Sequence, residues 1–228
     1  MGELIIAIDG PSGAGKSTLS KLLAQRLDYI HLDTGAMYRC VALAAMTQGI
    51  APSEQERLGV LAQQLKIEFV HSPDGDLVLL EGKDVSAAIR TPEVSLLTSK
   101  VSAAPQVRTA LVLLQRRLGA AGGVVLEGRD IGTVVFPQAQ VKFFLNATAE
   151  ARGERRYNEL IAKGVKVNLS QTISEVVARD AADSEREHAP LLQAEDAVVI
   201  DSTNLGIDEV LIVMTDIVEQ RRRELLLK

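Results

Sequence analysis

A short apolar run, Leu4-Ile-Ile-Ala-Ile8, leads straight into Gly10-Pro11-Ser12-Gly13-Ala14-Gly15-Lys16-Ser17-Thr18. Leu19, Leu22, Leu23 and Leu27 then recur at helical spacing. Strand, glycine-rich loop and helix in that order constrain the fold more than any other stretch of the chain. Glycines admit backbone conformations closed to other residues, so successive N–H groups can curl around an anion. A helix that begins directly after the loop points its positive end at the same place. The pattern is that of a phosphate-binding loop for a nucleoside triphosphate. Lys16 supplies charge to the β- and γ-phosphates, and the Ser17 hydroxyl supplies a ligand for Mg2+.

The rest of the chain alternates in the same way. Tyr29–Leu32, Val124–Leu126, Val141–Leu145 and Ala197–Ile200 are further strand candidates, separated by helical stretches. Five such strands imply a three-layer α/β fold of the phosphate-loop NTPase type, with a parallel sheet flanked by helices. Residues 66–92 break the rhythm. Lys66–His71 and Leu77–Leu80 read as strands around the turn Ser72-Pro-Asp-Gly-Asp76, and Gly82-Lys-Asp84 reads as a second turn before a third extended segment. An inserted small antiparallel β subdomain follows. The expected organisation is a core of 1–62 and 101–228, an insertion at 63–100, and a helical lid at 149–168. Ser53-Glu-Gln-Glu56 has the form of a capping box opening a helix.

Composition narrows the functions. Of 228 residues, 46% are hydrophobic and 24% charged, as in an ordinary soluble globular protein. A net charge of −5 argues against broad binding to nucleic acid. The only basic triplet, Arg221–Arg223, falls near the end of the last helix, where cations favour the dipole. Cys40 is single, so no internal disulfide is expected; it reads as a buried structural thiol in a reducing compartment. With no signal-peptide pattern and no apolar run of membrane-spanning length, the expectation is a cytoplasmic protein. No apolar stripe lacks a core to join, which suggests a monomer.

Polar clusters follow four strands: Asp9–Ser17, Asp33–Arg39, Glu127–Gly132 and Asp201–Asn204. In open α/β sheets ligands bind beyond the carboxyl ends of the strands, so these segments could share one crevice. Arg39, Arg108, Arg129, Arg179 and Arg186 lie in or beside polar clusters. So many guanidinium groups suit a kinase whose acceptor is itself a phosphate, because two anionic substrates must be held against their repulsion. Val176, Arg179, Asp183 and Arg186 share one helix face, either as a surface ion-pair ladder or, as the other cationic clusters favour, as a ligand-facing row. His31, His71 and His188 share no metal-ligand spacing and read as structural.

Five motifs carry a resemblance: GPSGAGKST at Gly10–Thr18, DTGAMYR at Asp33–Arg39, EGRDIGTVVFP at Glu127–Pro137, RDAADSEREHAPL at Arg179–Leu191 and DSTN at Asp201–Asn204. Over nearly its whole length the sequence is similar to the bacterial cytidylate kinases, a branch of the nucleoside monophosphate kinase family. The resemblance implies transfer of the γ-phosphoryl group of ATP to CMP or dCMP, with Mg2+, and small nucleotides as the only partners. It implies that Ser99, Arg108 and Asp130 read the cytosine edge and that Arg179 and Asp183 hold the ribose hydroxyls. Arg39, Arg129 and Arg186 would grip the acceptor phosphate, with Thr34 and Tyr38 lining that pocket. Arg152, Arg155 and Arg156 would close over the triphosphate from the lid. Gly153, where alanine is common, predicts a looser lid, since glycine costs a helix about 1 kcal/mol relative to alanine.

Phosphoryl transfer to a phosphate oxyanion needs no general base, so the chemistry falls to Lys16, Mg2+ and the arginines. Asp33 is a candidate for ordering the Mg2+ hydration shell, or else a cap for the helix that follows it. The rival readings are a kinase acting on another acceptor, such as UMP, AMP or a small alcohol, and an ATPase motor or switch with Glu127 as the base that activates water.

Overall fold

The computed structural model describes residues 3–70, 76–162, 164–186 and 189–227. Contacts divide the chain into two compact units, residues 1–31 with 121–228, and residues 32–120. The expected insertion at 63–100 lies within the second.

The first unit starts with β1 (Ile5–Asp9) and α1 (Lys16–Leu27). After the second unit it resumes with β6 (Val124–Gly128), a π-helical turn at Ile131–Val135, β7 (Val141–Asn146), α6 (Ala149–Ala162), α7 (Leu169–Ser184), β8 (Val198–Asp201) and α8 (Ile207–Leu226). The strand β2 (Ile30–Asp33) runs across the division, and the five-stranded order is β2-β6-β1-β7-β8. β1 pairs in parallel with β6 and with β7, and β7 with β8. The central strands are apolar throughout because helices cover them. Ile6, Ile8, Phe143 and Leu145 are fully buried and pack with Leu19 and Leu23 of α1 and Met214 and Val218 of α8. The register sets Asp9 opposite Gly128 of β6 and Phe144 of β7, so the loops leaving these strands start side by side.

The second unit holds α2 (Thr34–Thr47), α3 (Gln55–Gln64), α4 (Pro92–Val101) and α5 (Pro105–Gly119), with a sheet of β3 (Ile67–Val70), β4 (Leu77–Leu80) and β5 (Lys83–Asp84). Its core joins Met37, Val41, Leu58, Ile89, Val107 and Leu111. The antiparallel meander is present, with one shift: the reversal is Glu81–Gly82, both at positive φ, and Lys83–Asp84 is the third strand itself. The capping box at Ser53 is absent. Glu54 is the N-cap of α3 without a side-chain bond to the helix, its carboxylate instead accepting from Ala51 N–H at 2.8 Å.

Two further expectations resolve by long-range contacts. The Arg221–Arg223 triplet is spent on the fold: Arg221 donates to the Gln140 carbonyl, Arg222 donates to Tyr29 and lies over its ring, and Arg223 donates to the Glu219 carbonyl. Gly153 does not loosen α6. A Cβ there would lie 2.4 Å from Ile173 Cγ1 and 3.0 Å from Ile173 Cα, so the missing side chain is what lets α7 pack against α6. Alanine would gain about 1 kcal/mol of helix propensity but force a backbone displacement costing roughly 1–3 kcal/mol. Gly153→Ala is therefore expected to lower the unfolding free energy in a urea titration; an increase of about 1 kcal/mol would mean that propensity decides this position.

Candidate active site

Glycine at position 10 is obligatory on steric grounds. Its φ is +147°, and a Cβ would lie 2.0 Å from the Leu145 carbonyl oxygen. The chain therefore leaves β1 hard against β7 and turns through Gly13 and Gly15, both at positive φ, into the first turn of α1. Lys16 is 6% exposed and its ammonium donates to the Pro11 carbonyl at 2.7 Å. Burial, together with the positive charges of Arg129 and Arg179, lowers its pKa to about 7 against the pull of Glu127 and Asp9. A lysine held this way stores an unfavourable charge that an incoming phosphate relieves.

The neighbouring loop is built by Asp9, which the sequence reading placed at the edge of a cluster without a role. Asp9 is 4% exposed, and its two carboxylate oxygens accept from Ile131 N–H at 2.8 Å and Gly132 N–H at 2.7 Å. These amides open the π-helical turn, a feature frequent at functional sites. Asp130 caps the same turn with its carbonyl, accepting from Val134 and Val135. Arg129 and the buried Asp130 are thereby presented next to the phosphate loop. Burial raises Asp9 to about 6 despite the two amide bonds, so at pH 7 it is ionised and accepts both.

Arg129 is fixed a second time. Its Nε donates to Asp183 Oδ2 at 2.7 Å, while Arg186 donates from Nη2 to Oδ1 of the same carboxylate. Asp183 is 2% exposed; burial would raise its pKa, but Arg129 and Arg186 outweigh that and hold it below the usual carboxylate range. Because α7 ends at Ser184, Arg186 lies beyond the helix and the expected row on one helix face is broken there, while Asp183 reaches across to the loop after β6. Arg179 stands exposed one turn earlier, close enough to Lys16 to add to the positive field there.

The three lid-helix arginines separate. Arg152 is 5% exposed, donates to the carbonyls of Ala147 and Ser12, and makes a two-pronged pair with Asp180 of α7 at 3.0 and 2.6 Å. Its guanidinium braces the phosphate loop through the Ser12 carbonyl. Arg155 donates to the Ser202 carbonyl and hydroxyl, and that hydroxyl lies 3.3 Å from the Ala14 carbonyl. Among the described residues Arg156 pairs with the exposed Glu159 at 2.9 Å, a surface contact that costs little to exchange. Three of the four strand-end clusters accordingly meet in the first unit.

In the second unit, Arg108 of α5 is 6% exposed and its guanidinium lies 5.7 Å from the Tyr38 ring centroid. Thr34 is buried at the start of α2, and Ser99 is exposed on α4. Asp33 caps α2 by accepting from Ala36 N–H at 2.9 Å, and its other oxygen faces Arg39 at 3.5 Å and Arg90 at 3.9 Å. The capping role of Asp33 is therefore the one visible in its contacts. Cys40 is buried, and burial, reinforced by the Asp33 charge, pushes its thiol up to about 12. His31, read as structural, stands in the hydrogen-bond network behind the phosphate loop, 3.2 Å from Glu127. His71 and His188 lie outside the described residues.

Mg2+ prefers oxygen ligands and usually keeps waters and substrate phosphates in its shell, needing few protein groups. Ser17 fits that demand. Its hydroxyl hydrogen goes to Glu127 Oε2 at 2.8 Å, which leaves the oxygen lone pairs as acceptors for a cation. Among the described residues no group of three or more His, Cys, Asp or Glu could hold a metal.

Because Lys16 titrates near 7 in the free protein, a bound triphosphate should recharge it. Binding at pH 8 is expected to take up a sizeable fraction of a proton, roughly 0.9 for a group with a free-state pKa one unit below. Calorimetry in buffers of different ionisation enthalpy measures this directly. Affinity should fall as pH rises from 7 to 9; no proton uptake and a flat profile would contradict the assignment.

Comparison with known proteins gives a consistent answer. The family described as cytidylate kinase matches residues 6–220. A cytidylate kinase of Syntrophotalea carbinolica is 62% identical over 221 residues, covering 97% of this chain and 94% of that protein. One from Geobacter sulfurreducens is 60% identical over 220 residues, covering 96% and 94%. One from Bacillus subtilis is 47% identical over 221 residues, covering 97% and 99%. Among solved structures, an uncharacterised protein of Eubacterium ventriosum superposes with a TM-score of 0.54 at 9% identity, covering 95% of this chain and 99% of that one, which speaks to the fold alone.

Proposed function

The chain belongs to the cytidylate kinase family, and from that premise we propose how its residues move the γ-phosphoryl group of ATP onto CMP or dCMP, giving ADP with CDP or dCDP. The observation that carries the reading is Arg129, on a loop that Asp9 ties to the end of β1, paired together with Arg186 on the Asp183 carboxylate of α7. A cationic wall beside a triphosphate cradle suits a phosphate acceptor better than an attacking water.

The loop amides and Lys16 hold the β- and γ-phosphates of ATP. Mg2+, held with Ser17 and the triphosphate oxygens, would neutralise charge on the transferring group. Arg129 and Arg186 grip the acceptor phosphate and set its oxyanion in line for attack, and the family's motif assigns Arg39 to the same phosphate. That oxygen is already a nucleophile, so no residue needs to take its proton. Asp183 has lone pairs left beyond its two arginines, and these accept the ribose hydroxyls alongside Arg179. Ser99, Arg108 and Asp130 read the cytosine edge, and Thr34 and Tyr38 line the pocket. Arg152 and Arg155 shape the phosphate loop through Ser12 and Ser202, whereas Arg156 exchanges Glu159 for phosphate when the lid at 149–168 closes. The substrates are small nucleotides, and among the described residues no helix is long and apolar enough to cross a membrane. A reducing compartment, the cytoplasm, suits the free buried Cys40, and we take the enzyme as a monomer.

A panel of acceptors tests the reading. With ATP and Mg2+, kcat/KM for CMP and dCMP should exceed that for UMP and AMP by at least about tenfold, the discrimination a few recognition contacts supply. ADP release without acceptor should be slow. Equal turnover with and without CMP would mark an ATPase instead.

A further inference from the structure

Behind the phosphate loop, the acceptor of the Ser17 hydroxyl belongs to a cluster whose other members, Ser20 and His31, no step above uses. Glu127, on β6 and 4% exposed, accepts from Ser17 Oγ at 2.8 Å through Oε2. Its other oxygen, Oε1, lies 3.3 Å from Ser20 Oγ and 3.2 Å from His31 Nε2, and those two atoms are 3.0 Å apart. Ser20 is fully buried one turn along α1 from Ser17, and His31 is the second residue of β2.

Counting protons decides how the cluster is wired. An ionised carboxylate only accepts, and each serine hydroxyl has one hydrogen to give. A bare Nε2 lone pair at 3.2 Å from Oε1 would face another lone pair, so the stable arrangement has the hydrogen on Nε2, donated to Oε1 or to Ser20. The single Ser20 hydrogen then has two acceptors at 3.3 Å, Glu127 Oε1 and the Ser17 carbonyl, so one edge of the triangle carries no hydrogen. Whether Nε2–H is donated to Oε1 directly or relayed through Ser20, a hydrogen bond to Oε1 opposes rotation of the Glu127 carboxylate, and Oε2 stays aimed at Ser17. Ser17 must spend its hydrogen there, so its lone pairs are the part left for a ligand.

We propose that His31 is a positioning residue for the cation-binding hydroxyl of the phosphate loop: through Ser20 and Glu127 it fixes the orientation of Ser17 Oγ before Mg2+·ATP arrives. This rests on the reading of Ser17 as a ligand of that cation. A histidine that merely fills its place would support every ligand of the enzyme alike; one that orients Ser17 acts on the metal-dependent part of ATP binding alone.

The test is calorimetric ATP binding without acceptor, in EDTA and across a Mg2+ titration. His31→Leu should raise the Mg2+ concentration for half-maximal enhancement about tenfold, the low end for partners that orient metal ligands. Affinity for metal-free ATP and for CMP should stay within about twofold, because neither uses the oriented hydroxyl. His31→Gln, whose amide can donate from nearly the same place, should recover most of the loss. In a Ser17→Ala background, His31→Leu should add nothing. If Ser17→Ala shifts the Mg2+ dependence and His31→Leu does not, or if metal-free ATP loses as much, the inference is wrong while the Ser17 reading stands. If Ser17→Ala itself causes no shift, the Ser17 reading fails and this one with it. Should His31→Leu not fold, Ser20→Ala removes a contact to the same oxygen and must shift the Mg2+ dependence the same way; no shift overturns the proposal.

Discussion

The carboxylate of Asp9 is the constraint on which the site depends. It stands at the end of the central strand, one residue before the phosphate loop, and it receives the two amides that begin the turn after Arg129 and Asp130. Hydrogen bonds to a charged group contribute roughly 1.5–3 kcal/mol each, enough to hold a loop that has no regular partner strand. One side chain thus sets the distance between the glycine-rich loop and Arg129. The parallel register makes this possible, since Asp9 and Gly128 are paired neighbours and their loops emerge together.

Around that tie the site is an arrangement of buried charges that would be costly anywhere else. Lys16, Arg152, Asp183 and Glu127 are each under a tenth exposed. Desolvating an ion costs several kcal/mol unless partners restore what water supplied. Here each has them: Asp180 for Arg152, two arginines for Asp183, Ser17 and His31 for Glu127. Lys16 is the exception in degree. It has a carbonyl for a partner and lowers its pKa to about 7, which leaves it the group with most to gain from a bound polyphosphate. The same preorganisation serves phosphoryl transfer, in which fixed positive groups stabilise spread charge without reorganising.

Much of this was legible in the sequence. Alternating apolar runs and helical spacings give the five sheet strands to within about a residue or two, because burial on both faces writes itself into local pattern. The phosphate loop is legible because glycine spacing is a local demand. What stayed hidden depends on residues far apart in the chain. The π-helical turn at Ile131–Val135 is held by Asp9, more than a hundred positions earlier, and no local periodicity announces it. Gly153 reads as a helix weakness until Ile173 is found against it. Arg152 reads as a lid arginine, yet its donors are taken by Ser12, Ala147 and Asp180. His31 has no motif at all; only the closeness of β2, α1 and the end of β6 gives it partners.

The loop that carries Arg129 is set by Asp9 before any nucleotide binds, and amide hydrogen exchange at Ile131 and Gly132 in the ligand-free enzyme tests that most directly. Both amides should exchange far more slowly than an open loop would, at pH 7 where Asp9 is ionised, and should change little when ATP and CMP are added. Fast exchange in the free enzyme, with protection arising only on addition of nucleotides, would mean that the substrates build the site and that Asp9 does not.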